Sequence, residues 1–149
     1  MMKIVHLKWV NNKVMNKIEI VNSKIISNID DTISLTLEEN TNFLAVKKLT
    51  VDVINDTDLI LEIKNNELEK WNIVFNINQN ANLNLFELKE GSETKTQYIY
   101  NLNEFSKIFV YKFNDVEAIK ERTIINLNGF NSKIDYNFND ENSTLEVSK

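Results

Sequence analysis

Apolar and polar residues alternate along most of this chain. The clearest stretch is VFNINQNANLNLFELKEG (74–91), where Asn stands at 76, 78, 80, 82 and 84, with Ile77, Ala81, Leu83 and Leu85 between. A period of two puts successive side chains on opposite faces of a strand, so this stretch predicts strand rather than helix. Similar segments run along the chain: 16–29, 32–46, 49–63, 71–88, 96–102, 107–113, 122–128 and 132–138. They are rich in Ile, Val, Leu, Phe and Tyr, and Asn, Asp, Ser and Gly interrupt them where turns are expected. NNELEKW (65–71) and DVEAIKER (115–122) are each long enough for about two helical turns, with loop as the equal alternative.

The pattern also recurs at a longer, even period. NINQNANLNL starts at Asn76, NLNEFSKIFV at Asn101 and NLNGFNSKID at Asn126. DVINDTDLIL starts at Asp52, almost one full period before Asn76. Its Val53 and Leu59 take the places of Ile77 and Leu83. TLEENTNFLA carries Leu37 and Phe43 in the same places, but its start at Thr36 is much closer to Asp52 than the period allows. A repeat of about 25 residues marks a solenoid, in which each unit buries its apolar face against the next. The reading is an all-β chain folded as a parallel β-helix, with each coil made of two or three strands. A β-sandwich or jelly roll is the alternative, because short alternating strands suit it as well. The chain is read as one β-helical domain over 1–149, with 1–30 as a candidate capping segment.

Composition narrows the function. The 149 residues, 42% apolar and 26% charged, are ordinary for one domain with a real core. The formal net charge of −5 and the single arginine, Arg122, disfavour nucleic acid as a partner. No apolar run approaches the about 20 residues of a membrane span, and the N-terminal apolar stretch is short for a signal peptide, so a cytoplasmic location is expected. Heavy use of Asn, Ile and Lys fits an AT-rich coding sequence, so Asn frequency alone says little.

Cysteine is absent and His6 is the one histidine, which leaves no thiolate site, and one imidazole is no metal site. Only Gly91 and Gly129 are available for a phosphate cradle. The acidic residues Asp30, Asp31, Glu38, Glu39, Asp56, Asp58, Asp115, Glu117, Asp140 and Glu141 fall mostly at segment ends, where solvated turns are the simplest role. No catalytic, cofactor-binding or metal-binding residue is assigned, and no enzymatic activity is expected. Aromatic residues gather in the last third. Phe109, Tyr111 and Phe113 share one strand face, and Tyr136 and Phe138 share another. Core packing is the ordinary role for such residues; a partner interface is the functional one, and these five are its candidates. Trp9 and Trp71 are candidate half-buried anchors.

INQNANLNLFEL (77–88) and ERTIINLNGFNSKIDYNF (121–138) resemble β-helical coils of the SufB/SufD family of iron–sulfur cluster assembly proteins, with Leu127, Gly129 and Ser132 at matching positions. The resemblance covers about 72–138. It implies a right-handed parallel β-helix that dimerises with itself or a relative and joins an ATPase subunit in a scaffold for cluster assembly. Gly129 would then be a tight corner in the left-handed backbone region. The chain is shorter than a typical member, and the expectation is that it lacks the helical ATPase-binding end. With no cysteine and no histidine after His6, it would bind no cluster alone; any iron–sulfur cluster would need ligands from a partner chain. The expected function is a short SufD-like, non-enzymatic partner of SufB-like and SufC-like subunits, or of a second copy of itself. An all-β module that binds a protein or carbohydrate is the alternative.

Overall fold

The computed structural model describes residues 15–22, 24–39, 46–65, 70–91, 95–115, 120–138 and 144–148. Twelve strands form among them: β1 Asn16–Val21, β2 Lys24–Asn28, β3 Ile33–Glu39, β4 Val46–Val53, β5 Thr57–Asn65, β6 Lys70–Ile77, β7 Asn82–Gly91, β8 Lys95–Leu102, β9 Lys107–Asp115, β10 Lys120–Leu127, β11 Lys133–Phe138 and β12 Thr144–Ser148. From β4 onward the chain alternates between two sheets. Sheet A runs β11-β9-β7-β5-β1-β2 and sheet B runs β12-β10-β8-β6-β4-β3. All neighbours within a sheet are parallel except β1 with β2 and β3 with β4. The result is a β-solenoid of about three turns with two strands per coil. A sandwich would be mostly antiparallel within each sheet; here, from β4 on, the strand that follows in sequence always lies in the opposite sheet.

Register shows how strictly the repeat is kept. In sheet B, Val46 pairs with Lys70, Lys70 with Lys95 and Lys95 with Lys120. In sheet A, Thr57 pairs with Leu83, Asn82 with Lys107 and Lys107 with Lys133. Each coil advances by almost the same count, so equivalent side chains stand directly over one another. The recurring asparagines become a ladder along sheet B. Asn76 donates to Asp52 Oδ1 at 3.0 Å, Asn101 to Asn76 Oδ1 at 2.9 Å and Asn126 to Asn101 Oδ1 at 2.7 Å. Sheet A has a shorter version, with Asn84 donating to Asp58 Oδ1 at 2.8 Å. An amide carries both donor and acceptor, so each rung satisfies its neighbours and penalises a register slip.

The turns between sheets stack in the same way. The backbone N–H groups of Asn78, Asn103 and Asn128 reach the carbonyls of Val53, Ile77 and Leu102, one coil back, at 3.0, 3.2 and 3.1 Å. Each of these turns holds one residue in the left-handed region: Asn80 (φ 64°), Phe105 (φ 57°) and Asn131 (φ 59°). Gly129 is not that residue, contrary to the expectation from sequence. It is glycine because its turn lies on the previous one: a Cβ there would sit 2.1 Å from the backbone nitrogen of Glu104. The last turn is one position longer than the one below it (128–132 over 103–106), and Gly129 lets the extra residue fit.

One more expectation needs correction. The unit at Thr36 is not a coil. β3 pairs antiparallel with β4, with Thr36 opposite Thr50, so it is the edge of sheet B rather than a stacked repeat. Its start was already too close to Asp52 for a full coil. At the same end, β1 joins sheet A parallel to β5, and β2 folds back along it as the edge. Of the two segments read as helix or loop, only the ends are described: Asn65 closes β5 and Lys70 opens β6, and Asp115 closes β9 and Lys120 opens β10. The residues between lie outside the described ones, as do His6 and Trp9.

Inward positions fill the space between the sheets. Ile18, Leu59, Leu61, Ile63, Ile73, Phe75, Ile77, Leu83 and Leu85 are fully buried, each contributing about 1.5–3 kcal/mol by leaving water. Trp71, a candidate half-buried anchor, is 1% exposed and belongs to this core. Phe75 stacks on Tyr100 one coil on, with ring centroids 5.1 Å apart.

Two substitutions test this stacking. Gly129→Ala is expected to cost about 1–3 kcal/mol through overpacking of one turn on the next. Asn101→Ala, which breaks two rungs, is expected to cost more than Asn126→Ala, at about 0.5–1.5 kcal/mol per rung. Urea denaturation midpoints read both.

Candidate functional site

The five aromatic candidates divide between the two sides of sheet A. In β9, Ile108, Val110 and Lys112 point inward and are buried, so Phe109, Tyr111 and Phe113 point outward. In β11, Tyr136 pairs in register with Val110 and shares its inward side. There its ring meets that of Tyr100 edge-on, centroids 6.3 Å apart. Phe138 closes β11, and its side chain lies outside the described residues. Phe109, Tyr111 and Phe113 are thus brought together, and Tyr136 is on the other side of the sheet.

The outer face of sheet A adds residues that the sequence reading passed over. Ile60, Phe86 and Tyr111 are register partners across β5, β7 and β9, and Leu88 pairs with Phe113. The ring of Phe86 lies 6.4 Å from that of Phe109. Tyr111 is 50% exposed, Phe113 45% and Phe86 39%. Phe86, Leu88, Phe109, Tyr111 and Phe113 therefore form one accessible patch, and Ile60, 3% exposed, is buried beside it. Beside it, Glu62 is held by Lys17 at 3.3 Å and Lys64 at 3.0 Å. Burial pushes its carboxyl up, but these two lysines outweigh it and keep the group below the usual range. A groove of about 440 Å³ borders the patch at the starts of β7, β9 and β11, lined by Phe109, Asn82, Asn84 and Asp135 among others. At the turn nearby, Phe105 and Phe130 meet edge-on at 5.9 Å, with Phe130 76% exposed. Phe105 occupies the left-handed position that holds Asn in the neighbouring turns, a conformation costly for a residue with a bulky Cβ substituent.

The second concentration of chemistry is inside. The apolar column Ile18–Leu61 continues in register as Glu87 and then Lys112. Beside it, Ile20–Ile63 continues as Lys89. Facing them on sheet B, Trp71 is followed by Thr96 and Glu121, and Ile73 by Tyr98 and Thr123. Four charged side chains are thus sealed between the sheets at 0–1% exposure. Lys89 Nζ lies 2.9 Å from both Glu121 Oε1 and Thr96 Oγ1. Lys112 Nζ lies 3.4 Å from Glu87 Oε2, 3.5 Å from Glu121 Oε2 and 3.1 Å from the centre of the Tyr98 ring. The Tyr98 hydroxyl donates to Glu87 Oε1.

Two lysines and two glutamates balance in number, and burial then decides their protonation. It pushes the Glu87 carboxyl up and the Lys89 amine down, so both lean towards their neutral forms. Burial also disfavours the Lys112 ammonium, but Glu87 and Glu121 outweigh it and hold that group above the ordinary lysine value. Burial pushes the Tyr98 and Tyr100 hydroxyls well above the ordinary range for tyrosine. None of these four charged residues was among the sequence candidates. Of the acids that were, Asp30, Asp56 and Asp58 are bound up in turn and strand hydrogen bonds, with Thr32 N, Asn82 N and the Asn84 amide respectively, and Glu117, Asp140 and Glu141 lie outside the described residues. Among the described residues no group of three or more His, Cys, Asp and Glu could hold a metal ion.

Lys89 supplies a pH test. Its folded pKa lies below the 10.5 of the unfolded chain. The unfolded state therefore keeps a proton that the folded state has released, and stability rises with pH from the folded value towards 10.5. Above 10.0 the buried tyrosines reverse the trend, because the unfolded chain ionises there and the folded one does not. Between the folded Lys89 value and that pH, denaturation midpoints are expected to rise more steeply in the wild type than in Lys89→Met; at lower pH the raised Glu87 carboxyl acts in the opposite direction. No known protein family, curated protein or solved structure matches the chain.

Proposed function

We propose that this chain is a non-enzymatic scaffold that binds a protein partner through the outer face of sheet A. The observation that carries the reading is the contiguous patch of Phe86, Leu88, Phe109, Tyr111 and Phe113. Rigid aromatic side chains on a sheet lose little entropy when a partner covers them, and Tyr and Phe are enriched where proteins meet. The turn-by-turn stack beneath fixes the spacing of these rings and so supplies a preformed surface.

The resemblance of 77–88 and 121–138 to SufB/SufD coils names the first partners to try: SufB-like and SufC-like subunits of an iron–sulfur assembly complex, or a second copy of this chain. The cluster ligands would then come from the partner. The experiment is co-purification with those subunits from the same organism, read by size-exclusion chromatography with light scattering. A complex of defined stoichiometry that is lost in Tyr111→Ser/Phe113→Ser supports the reading. Those substitutions are expected to change folding stability by less than about 0.5 kcal/mol each, since the side chains are half exposed. A chain that stays monomeric with all three candidates rejects the iron–sulfur assignment.

The groove beside Phe109 favours a second reading, a carbohydrate ligand. An aromatic face next to two amides and a carboxylate suits a sugar ring, with its apolar face and its hydroxyls. Binding of an oligosaccharide that Phe109→Ala and Asp135→Ala both abolish would favour it over the protein partner.

A further inference from the structure

The buried cluster holds three polar atoms that its hydrogen bonds leave out: the Tyr100 hydroxyl, Glu87 Oε2 and Lys112 Nζ. The last two face each other at 3.4 Å, and their residues are register partners on β7 and β9. A buried ammonium and a buried carboxyl without good hydrogen bonds are a costly arrangement. The groups around the pair are those an acyl condensation requires. The Tyr98 hydroxyl is on Glu87 Oε1, where negative charge develops when the carboxyl carbon is attacked. Glu121 Oε2, 3.5 Å from Lys112 Nζ, is placed to take the amine's proton. Tyr98, Tyr100 and Tyr136 wall the space with rings that exclude water.

The geometry points to an intramolecular amide bond between the Lys112 amine and the Glu87 carboxyl, formed inside the folded chain. Glu121 accepts a proton from the Lys112 ammonium. The freed amine attacks Cδ of Glu87, which enters as the neutral acid with its proton on Oε2, and the N–C bond forms. The tetrahedral oxygen at Oε1 carries the negative charge and is held by Tyr98. Glu121 returns its proton to Oε2, the C–O bond breaks and Oε2 leaves as water. Glu121 then takes the second proton from the nitrogen and ends as the neutral acid, leaving the amide with one hydrogen. One water is lost, nothing is oxidised or reduced, and no cofactor is used. Fixing the partners in one strand register supplies the effective concentration, which reaches about 10⁵–10⁸ M for well-oriented groups. Loss of the Lys112 and Glu121 charges favours the product in a dry interior. The bond ties two successive coils through their core.

The test is the intact mass of the purified full-length chain under denaturing conditions, which a covalent bond survives. The expected result is a chain lighter than its sequence by one water, with a digest that yields a branched peptide joining Glu87 to Lys112. A mass equal to the sequence, or a water lost at another site, overturns the proposal. Glu121→Gln is expected to restore the full sequence mass, while Lys89→Met, which disturbs the same cluster, keeps the loss. Equal loss of water in both variants removes Glu121 from the reaction. Full mass in both, with circular dichroism of folded protein, contradicts the assignment of Glu121 as the specific proton acceptor.

Discussion

Everything in this fold depends on one constraint: each coil, roughly 25 residues long, must return to the same register. Parallel strands in a solenoid are joined only through the opposite sheet, so no hairpin turn sets their pairing. Register has to be written into the side chains. The Asp52–Asn76–Asn101–Asn126 ladder does this along sheet B, and the turn hydrogen bonds repeat it at the corner. A slip of one residue would turn every inward side chain outward. The coils differ slightly in length, and the turns absorb the difference; Gly129 lets the longest of them lie on its neighbour.

The same constraint explains what the sequence disclosed. Asn76, Asn101 and Asn126 are legible as a repeat because they are bonded to each other, and each rung above the Asp52 base needs an amide at the same phase. The hairpin edge at Thr36 obscured the repeat because antiparallel and parallel strands share a period of two. Tyr136 is an interface candidate when its phase is read within its own strand alone. Carried across the register step from Val110, that phase points inward. Glu87, Lys89, Lys112 and Glu121 were passed over for a related reason. A charged residue in a strand reads as solvent-facing, yet Glu87 is in step with Leu83 and Leu85, and Lys112 with Ile108 and Val110. Phase, not residue type, decides the side of the sheet.

The interior therefore changes character along the axis. Near β1, β4 and β5 it is aliphatic, and towards β9 and β10 it becomes charged and tyrosine-rich. Aliphatic packing would have stabilised those later coils at lower cost, because removing ions from water is rarely recovered by pairing them. Paired charges instead demand specific neighbours. Glu121 meets Lys89 and Lys112 across the gap between sheets, so the two sheets are aligned to each other as well as within themselves.

That alignment reaches the outer surface through the shared strands. Lys112 lies between Tyr111 and Phe113 in β9, and Glu87 between Phe86 and Leu88 in β7. Whatever fixes the inward Glu87–Lys112 pair also fixes the relative height of the outward rings on the same two strands. A contact at 3.4 Å without hydrogen bonds holds that height loosely; an amide bond would hold it covalently. The buried cluster and the aromatic patch are therefore the two faces of one pair of strands, and a surface built to be matched by a partner gains from a core that cannot shift beneath it.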